Sequence, residues 1–310
     1  MDSYTIEEKA MLERRFTDSV DGIYRAHQPI YGYQKWPCEW CFTGRYIPTL
    51  RIMRELARLK VESMLDVGGA EGYKSYIARN LFGIKVHTSD LSEEACKRAK
   101  EIFDVDGMPC DIHQLPFGDE QFDVVTCSET LEHVTEPKQA VDELLRVANK
   151  AVIITVPVED PEHLEEHYEK NNHINAFEVD SFDYLKERGL TVMAQKYLDR
   201  RILHYGMWVE TSMRLEYTPE CRWPRFVYSL YNGLSKFAVG RRGAWLIARI
   251  VNADERASRK SKDYAGVICV ILKDPDCYGR PRRHITARHI MKSTVPHHYL
   301  DGRPASHGEG

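Results

Sequence analysis

From residue 63 onward, short apolar runs alternate with amphipathic stretches, and that alternation leaves few folds open. SMLDVGG (63–69), KVHTSD (85–90), FDVVTCS (122–128) and AVIITVP (151–157) have the length and β-branched content of strands. Between them lie YKSYIARNLFG, SEEACKRAKEIF and EPKQAVDELLRVANK, whose apolar residues recur at helical spacing. Strand and helix at this rhythm predict βαβ crossovers, and so an α/β fold with a doubly wound, mostly parallel sheet and helices on both faces. LTVMAQKYL and YAGVICVILK supply two later strands, and Asp180 to Arg188 reads as a helix closed by Gly189.

Outside this alternation the pattern is less regular. Residues 5–26 read as one helix, 27–45 as an irregular aromatic lid and 47–59 as a second helix. The expected organisation is a lid over residues 1–45, a main domain over 46–273 with a helical insertion at 218–262, and a poorly ordered His/Arg-rich tail over 274–310. In the insertion, Phe226, Leu230, Leu234 and Phe237 fit one helix face, and Trp245, Ile247, Ile250 and Val251 a second. No run approaches the roughly 20 apolar residues that span a bilayer, and MDSYTIEEKAMLERR lacks the basic start and apolar core of a secretory signal. Eight scattered cysteines give no disulfide framework, so a reducing, cytoplasmic location is expected. Cys38 and Cys41 form a lone C-x-x-C, read as apolar lid residues because zinc needs two further ligands.

The ends of the strands carry the chemistry. In open α/β sheets ligands sit beyond the carboxyl ends of the strands, near the switch in strand order. LDVGGAEG (65–72) follows the first strand, and Gly68, Gly69 and Gly72 let the backbone turn sharply and approach a ligand closely. Asp90 ends the next strand, 18 residues after Gly72, where a carboxylate can accept hydrogen bonds from ribose hydroxyls. Asp111 lies 21 residues further on. A nicotinamide dinucleotide is the competing ligand, but its pyrophosphate is usually held by a full G-x-G-x-x-G, which this loop lacks.

In these motifs the chain resembles the class I S-adenosylmethionine-dependent methyltransferases, especially the broad group of quinone-biosynthesis and natural-product enzymes, over roughly residues 60–200. The resemblance implies a Rossmann-like fold and S-adenosylmethionine as cofactor. Asp66, Gly68, Gly69 and Gly72 would surround its methionine part, Asp90 would hold the ribose, Asp111 and Ile112 the adenine, with Ser128 near the sulfonium and Leu91 a further cofactor-binding residue. One departure is visible: Ala70 stands where many members carry the middle glycine of G-x-G-x-G.

Acceptor chemistry points to SETLEHV (128–134). If Glu129 opens a helix, Glu132 and His133 share its face, and His173 follows the next strand. Glu129, Glu132, His133 and His173 are a plausible ligand set for Mg²⁺, Mn²⁺ or Zn²⁺. The pattern is similar to metal-assisted O-methyltransferases, including quinone-pathway and small-RNA 2′-O-methyltransferases. L-E-H-V also occurs in relatives that, as the family implies, need no metal, where the Glu and His pack the loop or orient substrate. His173, in HINAF, resembles the family's H-x-x-x-F element and fits a general base; a structural histidine bonded to a carbonyl fits equally. His133 and Glu132 are the other candidate catalytic groups. His163 and His167 read as a solvated face.

The net charge of −4 is uneven: 214–262 holds eleven Lys/Arg against four Asp/Glu. This insertion reads first as an acceptor cap, then as peripheral contact with an anionic membrane or anionic substrate; nucleic acid ranks last, since no RNA-binding module is visible. The expected activity is methyl transfer to oxygen of a small molecule: a sugar, phenol, quinone precursor or secondary metabolite. C- or N-methylation, of a small molecule or a lipid-linked acceptor, metal-assisted RNA 2′-O-methylation, and a cofactor-binding regulatory or scaffold protein without turnover are the alternatives.

Overall fold

The computed structural model describes residues 2–20, 23–30, 42–159, 161–163, 168, 172–213 and 243–292. Nine strands are described. Two short ones, β1 (Ser19–Val20) and β2 (Ile23–Tyr24), pair with each other. The other seven form one sheet in the order β5-β4-β3-β6-β7-β9-β8. Its parallel part contains β3 (Ser63–Val67), β4 (Lys85–Asp90), β5 (Gly107–Pro109), β6 (Phe122–Ser128) and β7 (Ala148–Pro157). Between these strands run α3 (Tyr73–Phe82), α4 (Glu93–Phe103) and α5 (Pro137–Val147). β8 (Thr191–Asp199) and β9 (Tyr264–Leu272) complete the sheet antiparallel to their neighbours.

Each face of the sheet buries its own core. One packs α2 (Phe42–Leu56), α3 and α4 against Met64, Val124, Ile153 and Val270. The other packs α5 against Leu65, Val125, Val152 and Ile271. Successive residues of a strand point to opposite faces, which is why Met64 and Leu65, or Val124 and Val125, belong to different cores. The strand order reverses between β3 and β6, and the crevice at their carboxyl ends is where such folds hold ligands.

Several expected boundaries move. The first helix, α1 (Ser3–Arg15), ends well short of residue 26. Val20 and Ile23 pair across an Asp-Gly dipeptide, a sequence suited to a two-residue hairpin. α2 starts at Phe42, inside the stretch read as lid. The helix expected to reach Lys150 stops at Val147, and Ala148–Lys150 already belong to β7. Residues 183–188 form a 3-10 helix rather than an α-helix.

After β8 come α6 (Arg200–Met213) and a helix, α7, described over 243–258. Ile247, Ile250 and Val251 of α7 are buried in the core as the sequence suggests, whereas Trp245 is about half exposed. Residues 218–242 of the insertion with Phe226, Leu230, Leu234 and Phe237, the aromatic segment 31–41 with Cys38 and Cys41, and His167 lie outside the described residues. Among the described residues no helix is long and apolar enough to cross a membrane.

The tail is the larger correction, because residues 274–292 pack onto the domain instead of trailing from it. A short helix, α8 (Ala287–Met291), lies beside α2, and Ile285, Ala287, Ile290 and Met291 enter the core there. These apolar residues are too few to register as a periodic pattern, and their burial depends on a surface made elsewhere in the chain. Residues 293–310 lie outside the described residues.

Candidate active site

A cavity of about 1430 Å³ opens over the carboxyl ends of β3, β4 and β6. Its floor at one end is the glycine-rich loop. Gly68 holds φ +67, and a Cβ there would lie 2.8 Å from Thr130 Cγ2 and closer still to Oγ1. Only a residue without a side chain fits that wall. Ala70 borders the cavity with φ +50, the left-handed conformation that a glycine would adopt freely. The Asp90 carboxylate holds this loop from the next strand: Oδ2 accepts the Ala70 amide at 2.9 Å and Oδ1 the Ser92 amide at 3.1 Å. Burial pushes its pKa up to about 6 despite those two donors, and the charge of Asp66 adds to the effect.

The sequence-predicted cofactor residues divide into two groups. Gly68, Asp90, Leu91, Asp111 and Ile112 line the cavity. Asp66, Gly69, Gly72 and Ser128 lie beneath or beside it and are not among its lining residues. Asp66 is fully buried and accepts the Thr126 hydroxyl at 2.6 Å. Gly69 leaves no room for a Cβ between Thr88 and Asp66, and Gly72 packs α3 against Ala99 of α4. Ser128 accepts the Thr155 hydroxyl at 2.8 Å. These four shape the loop from below. Asp111 also fixes a neighbour, accepting the His113 amide at 2.9 Å and meeting its Nδ1 at 2.6 Å.

Just past Thr130, Leu131–His133 form a single 3-10 turn after β6. The backbone carbonyl of Glu132 accepts the amides of Ile174 and Asn175, and the Asn175 side chain donates to the carbonyls of Leu131 and Val134. This stitching brings His173 to His133, with ring centroids 4.8 Å apart. Glu132, His133 and His173 each offer a ligand atom, and these atoms all lie within 4.8 Å of one another. Glu129 is not in that group. It takes φ +54 at the end of β6 instead of opening a helix, and its carboxylate accepts the Tyr197 hydroxyl at 2.6 Å.

Both imidazoles are oriented by their Nδ1 atoms. That of His133 faces the Asn172 carbonyl at 3.0 Å, and that of His173 faces Glu159 at 2.6 Å. A carbonyl can only accept, so His133 Nδ1 carries the proton and Nε2 keeps its lone pair. Burial first, and then the neighbouring His173, push the His133 pKa down to about 4. Glu132 is 1% exposed, and one of its carboxylate oxygens has no hydrogen-bond partner among the described residues. Burial, reinforced by Glu129 and Glu159, raises its pKa well above the ordinary carboxylate value.

Within the stretch read as a lid, the N-terminal helix forms a wall of the cavity, although the sequence singled out none of its residues. Tyr4, Thr5, Glu8, Leu12 and Arg15 of α1 line the cavity. At one end Glu13 accepts from the Ser92 hydroxyl and from the amides of Glu93 and Glu94. At the other, Glu8 accepts from the Asn172 side chain and lies 3.9 Å from His133. Glu71, in the glycine-rich loop, grips the segment after α1 through Tyr24 and the His27 amide. The contacts of Glu8 and Glu13 span more than seventy residues and leave no local pattern.

Comparison with known proteins agrees with the fold and the loop. The family described as "Methyltransferase domain" matches residues 65–155. A demethylmenaquinone methyltransferase of Clavibacter sepedonicus is 38% identical over 98 residues, covering 30% of this chain and 40% of the relative. The match therefore spans well under half the length of that curated relative. Among solved structures, the [4+2]-cyclase SpnF shares 16% identity at a TM-score of 0.52, covering 88% of this chain and 96% of its own. Geranyl diphosphate C-methyltransferase from Streptomyces coelicolor A3(2), in complex with Mg²⁺, geranyl diphosphate and S-adenosyl-L-homocysteine, shares 13% at 0.51, covering 88% and 98%. At such identities these two structures establish the fold alone. Residues 65–155 therefore carry a methyltransferase domain, set in a Rossmann-like α/β fold.

Proposed function

We propose that the chain transfers the methyl group of S-adenosylmethionine to an oxygen of a small-molecule acceptor, a sugar, phenol, quinone precursor or similar metabolite, held beside a divalent ion. The observation that carries this reading is the trio Glu132, His133 and His173 in the wall of the cavity that Gly68 also lines.

The trio fits a cation. A buried carboxylate with an oxygen lacking a partner is unfavourable until a positive group meets it. Each imidazole has its Nδ1 engaged by an outer oxygen, the arrangement that fixes a metal-binding ring and leaves Nε2 available. A divalent ion at such a site lowers the pKa of a bound hydroxyl and orients it. S-adenosylmethionine supplies a methyl group on a cationic sulfur, and its transfer is an in-line displacement that depends on alignment.

The chain's own residues supply that alignment. Gly68 lets the backbone approach the cofactor, and Asp90 fixes the loop through Ala70 and Ser92. With a pKa near 4, His133 stays neutral at pH 7 and suits a ligand better than a proton acceptor. Leu198, Leu203 and Met207 give the cavity an apolar wall for an acceptor.

Calorimetric titration of S-adenosylhomocysteine, with and without Mn²⁺ and after chelation, tests both halves. Micromolar cofactor binding is expected without metal, together with separate Mn²⁺ binding. His173→Ala is expected to lose the second and keep the first. No cofactor binding under any condition would remove the central reading; Mn²⁺ binding that survives His173→Ala would remove the ion site.

A further inference from the structure

Glu129 belongs by sequence to the same ligand-type set as Glu132, His133 and His173, yet the fold separates it from them. We propose that Tyr197 is a positioning residue that holds Glu129 out of the ion's ligand shell and fixes it as a separate carboxylate in the acceptor wall. This inference rests on the ion site proposed above.

Three observations meet at this pair. Tyr197 lies on β8, the edge strand, and is 1% exposed. Its ring crosses β9 over Gly266, its register partner, where a Cβ would lie 2.6 Å from Cε1 and 2.8 Å from Oη. Without a side chain at 266, the phenol reaches past the neighbouring strand to the end of β6 and donates to Glu129 Oε1 at 2.6 Å. The Thr155 hydroxyl on β7 is a further partner of the same phenol.

Glu129 in turn holds a left-handed φ of +54, a conformation a non-glycine residue keeps only when its surroundings over-determine it. The phenol supplies part of that determination. Glu129 still lines the cavity. Held by Tyr197, Glu129 leaves the ion three protein ligands and room for an acceptor oxygen.

Mn²⁺ binding to the full chain, followed by electron paramagnetic resonance and calorimetry, tests the arrangement. Glu132→Gln and His173→Ala establish the effect of losing a ligand, expected to be at least about a hundredfold in affinity. Glu129→Gln is expected to change affinity less than about fivefold, the effect of a nearby charge rather than a ligand. Tyr197→Phe releases Glu129 toward the ion and is expected to tighten Mn²⁺ binding, whereas a phenol that only packs the strands would leave it unchanged or weaken it. A loss at Glu129→Gln as large as that at Glu132→Gln would overturn the proposal while leaving the ion site standing, as would unchanged or weaker binding by a folded Tyr197→Phe. If the unaltered chain does not bind Mn²⁺, the ion site fails and this inference falls with it. Glu129→Gln keeps the proposal testable should Tyr197→Phe not fold.

Discussion

Gly266→Ala is a one-carbon change whose effect can be worked from the Tyr197 ring. The added Cβ would sit 2.6 Å from Cε1 and 2.8 Å from Oη, against ordinary contacts of about 3.4–4 Å. The ring would have to move by roughly 1 Å in a fully buried site, and such overpacking costs about 1–3 kcal/mol. The same shift would break the buried hydrogen bond to Glu129, worth about 1.5–3 kcal/mol because its acceptor is a carboxylate. Replacing a strand glycine by alanine returns about 0.5–1 kcal/mol. The net loss is therefore about 2–5 kcal/mol, or a fall of roughly 5–15 °C in Tm for a domain of this size. Thermal unfolding followed by circular dichroism measures it, and Tyr197→Leu supplies the control. With the ring removed, Gly266→Ala should cost less than about 0.5 kcal/mol, leaving a coupling of several kcal/mol between the two sites. Equal effects of Gly266→Ala in both backgrounds would refute the argument, because the ring would then not be what the glycine accommodates.

Other perturbations probe the cofactor end. Burial raises the Asp90 pKa from its ordinary 3.8 to about 6, so the folded state favours the protonated acid and stability falls as pH rises through that interval. Asp90→Asn removes this titration: relative to the unaltered chain it should gain about 2 kcal/mol between pH 4.5 and pH 8 in denaturant unfolding, while weakening S-adenosylhomocysteine binding. A pH-independent difference would place the strain elsewhere. Gly68→Ala should weaken cofactor binding more than about tenfold, roughly 1.4 kcal/mol, with partial recovery in Thr130→Ala; unchanged affinity would contradict the close approach at that wall. Glu13→Ala removes the acceptor of three hydrogen bonds and should lower stability by about 1–3 kcal/mol, and unaltered amide exchange in α1 would show that this grip does not hold the helix.

The parallel sheet was legible because each of its long strands carries its own apolar run and each crossover helix its own stripe. The cofactor end was legible for a related reason: Gly68 and Asp90 sit at the ends of strands with their own apolar runs, so finding those strands places them, whereas Asp111 follows β5, a strand of 3 residues too short to leave a pattern. The sequence could not separate residues that touch the cavity from those that support it. Asp66 and Ser128 belong to the same short motifs as Gly68 and Glu129, yet their side chains point into the strand layer. Nor could it assign Glu129, whose orientation depends on Tyr197, 68 residues away, and on Gly266 beyond that. Spacing within a helix predicted that Glu129, Glu132 and His133 would share a face; a left-handed residue at the strand end removed the helix that argument required.

That left-handed residue has a counterpart in the loop after the neighbouring strand. Ala70 and Glu129 each hold a conformation costing about 1–2 kcal/mol for a side-chain-bearing residue, one in the loop after β3 and the other after β6. The energy is committed when the chain folds, before any ligand arrives. Both loops thus meet their ligands already shaped, and binding need not supply the entropy of ordering them. A glycine at either position would make the fold easier to reach and the site less rigid, shifting part of the ordering from folding to the moment of binding.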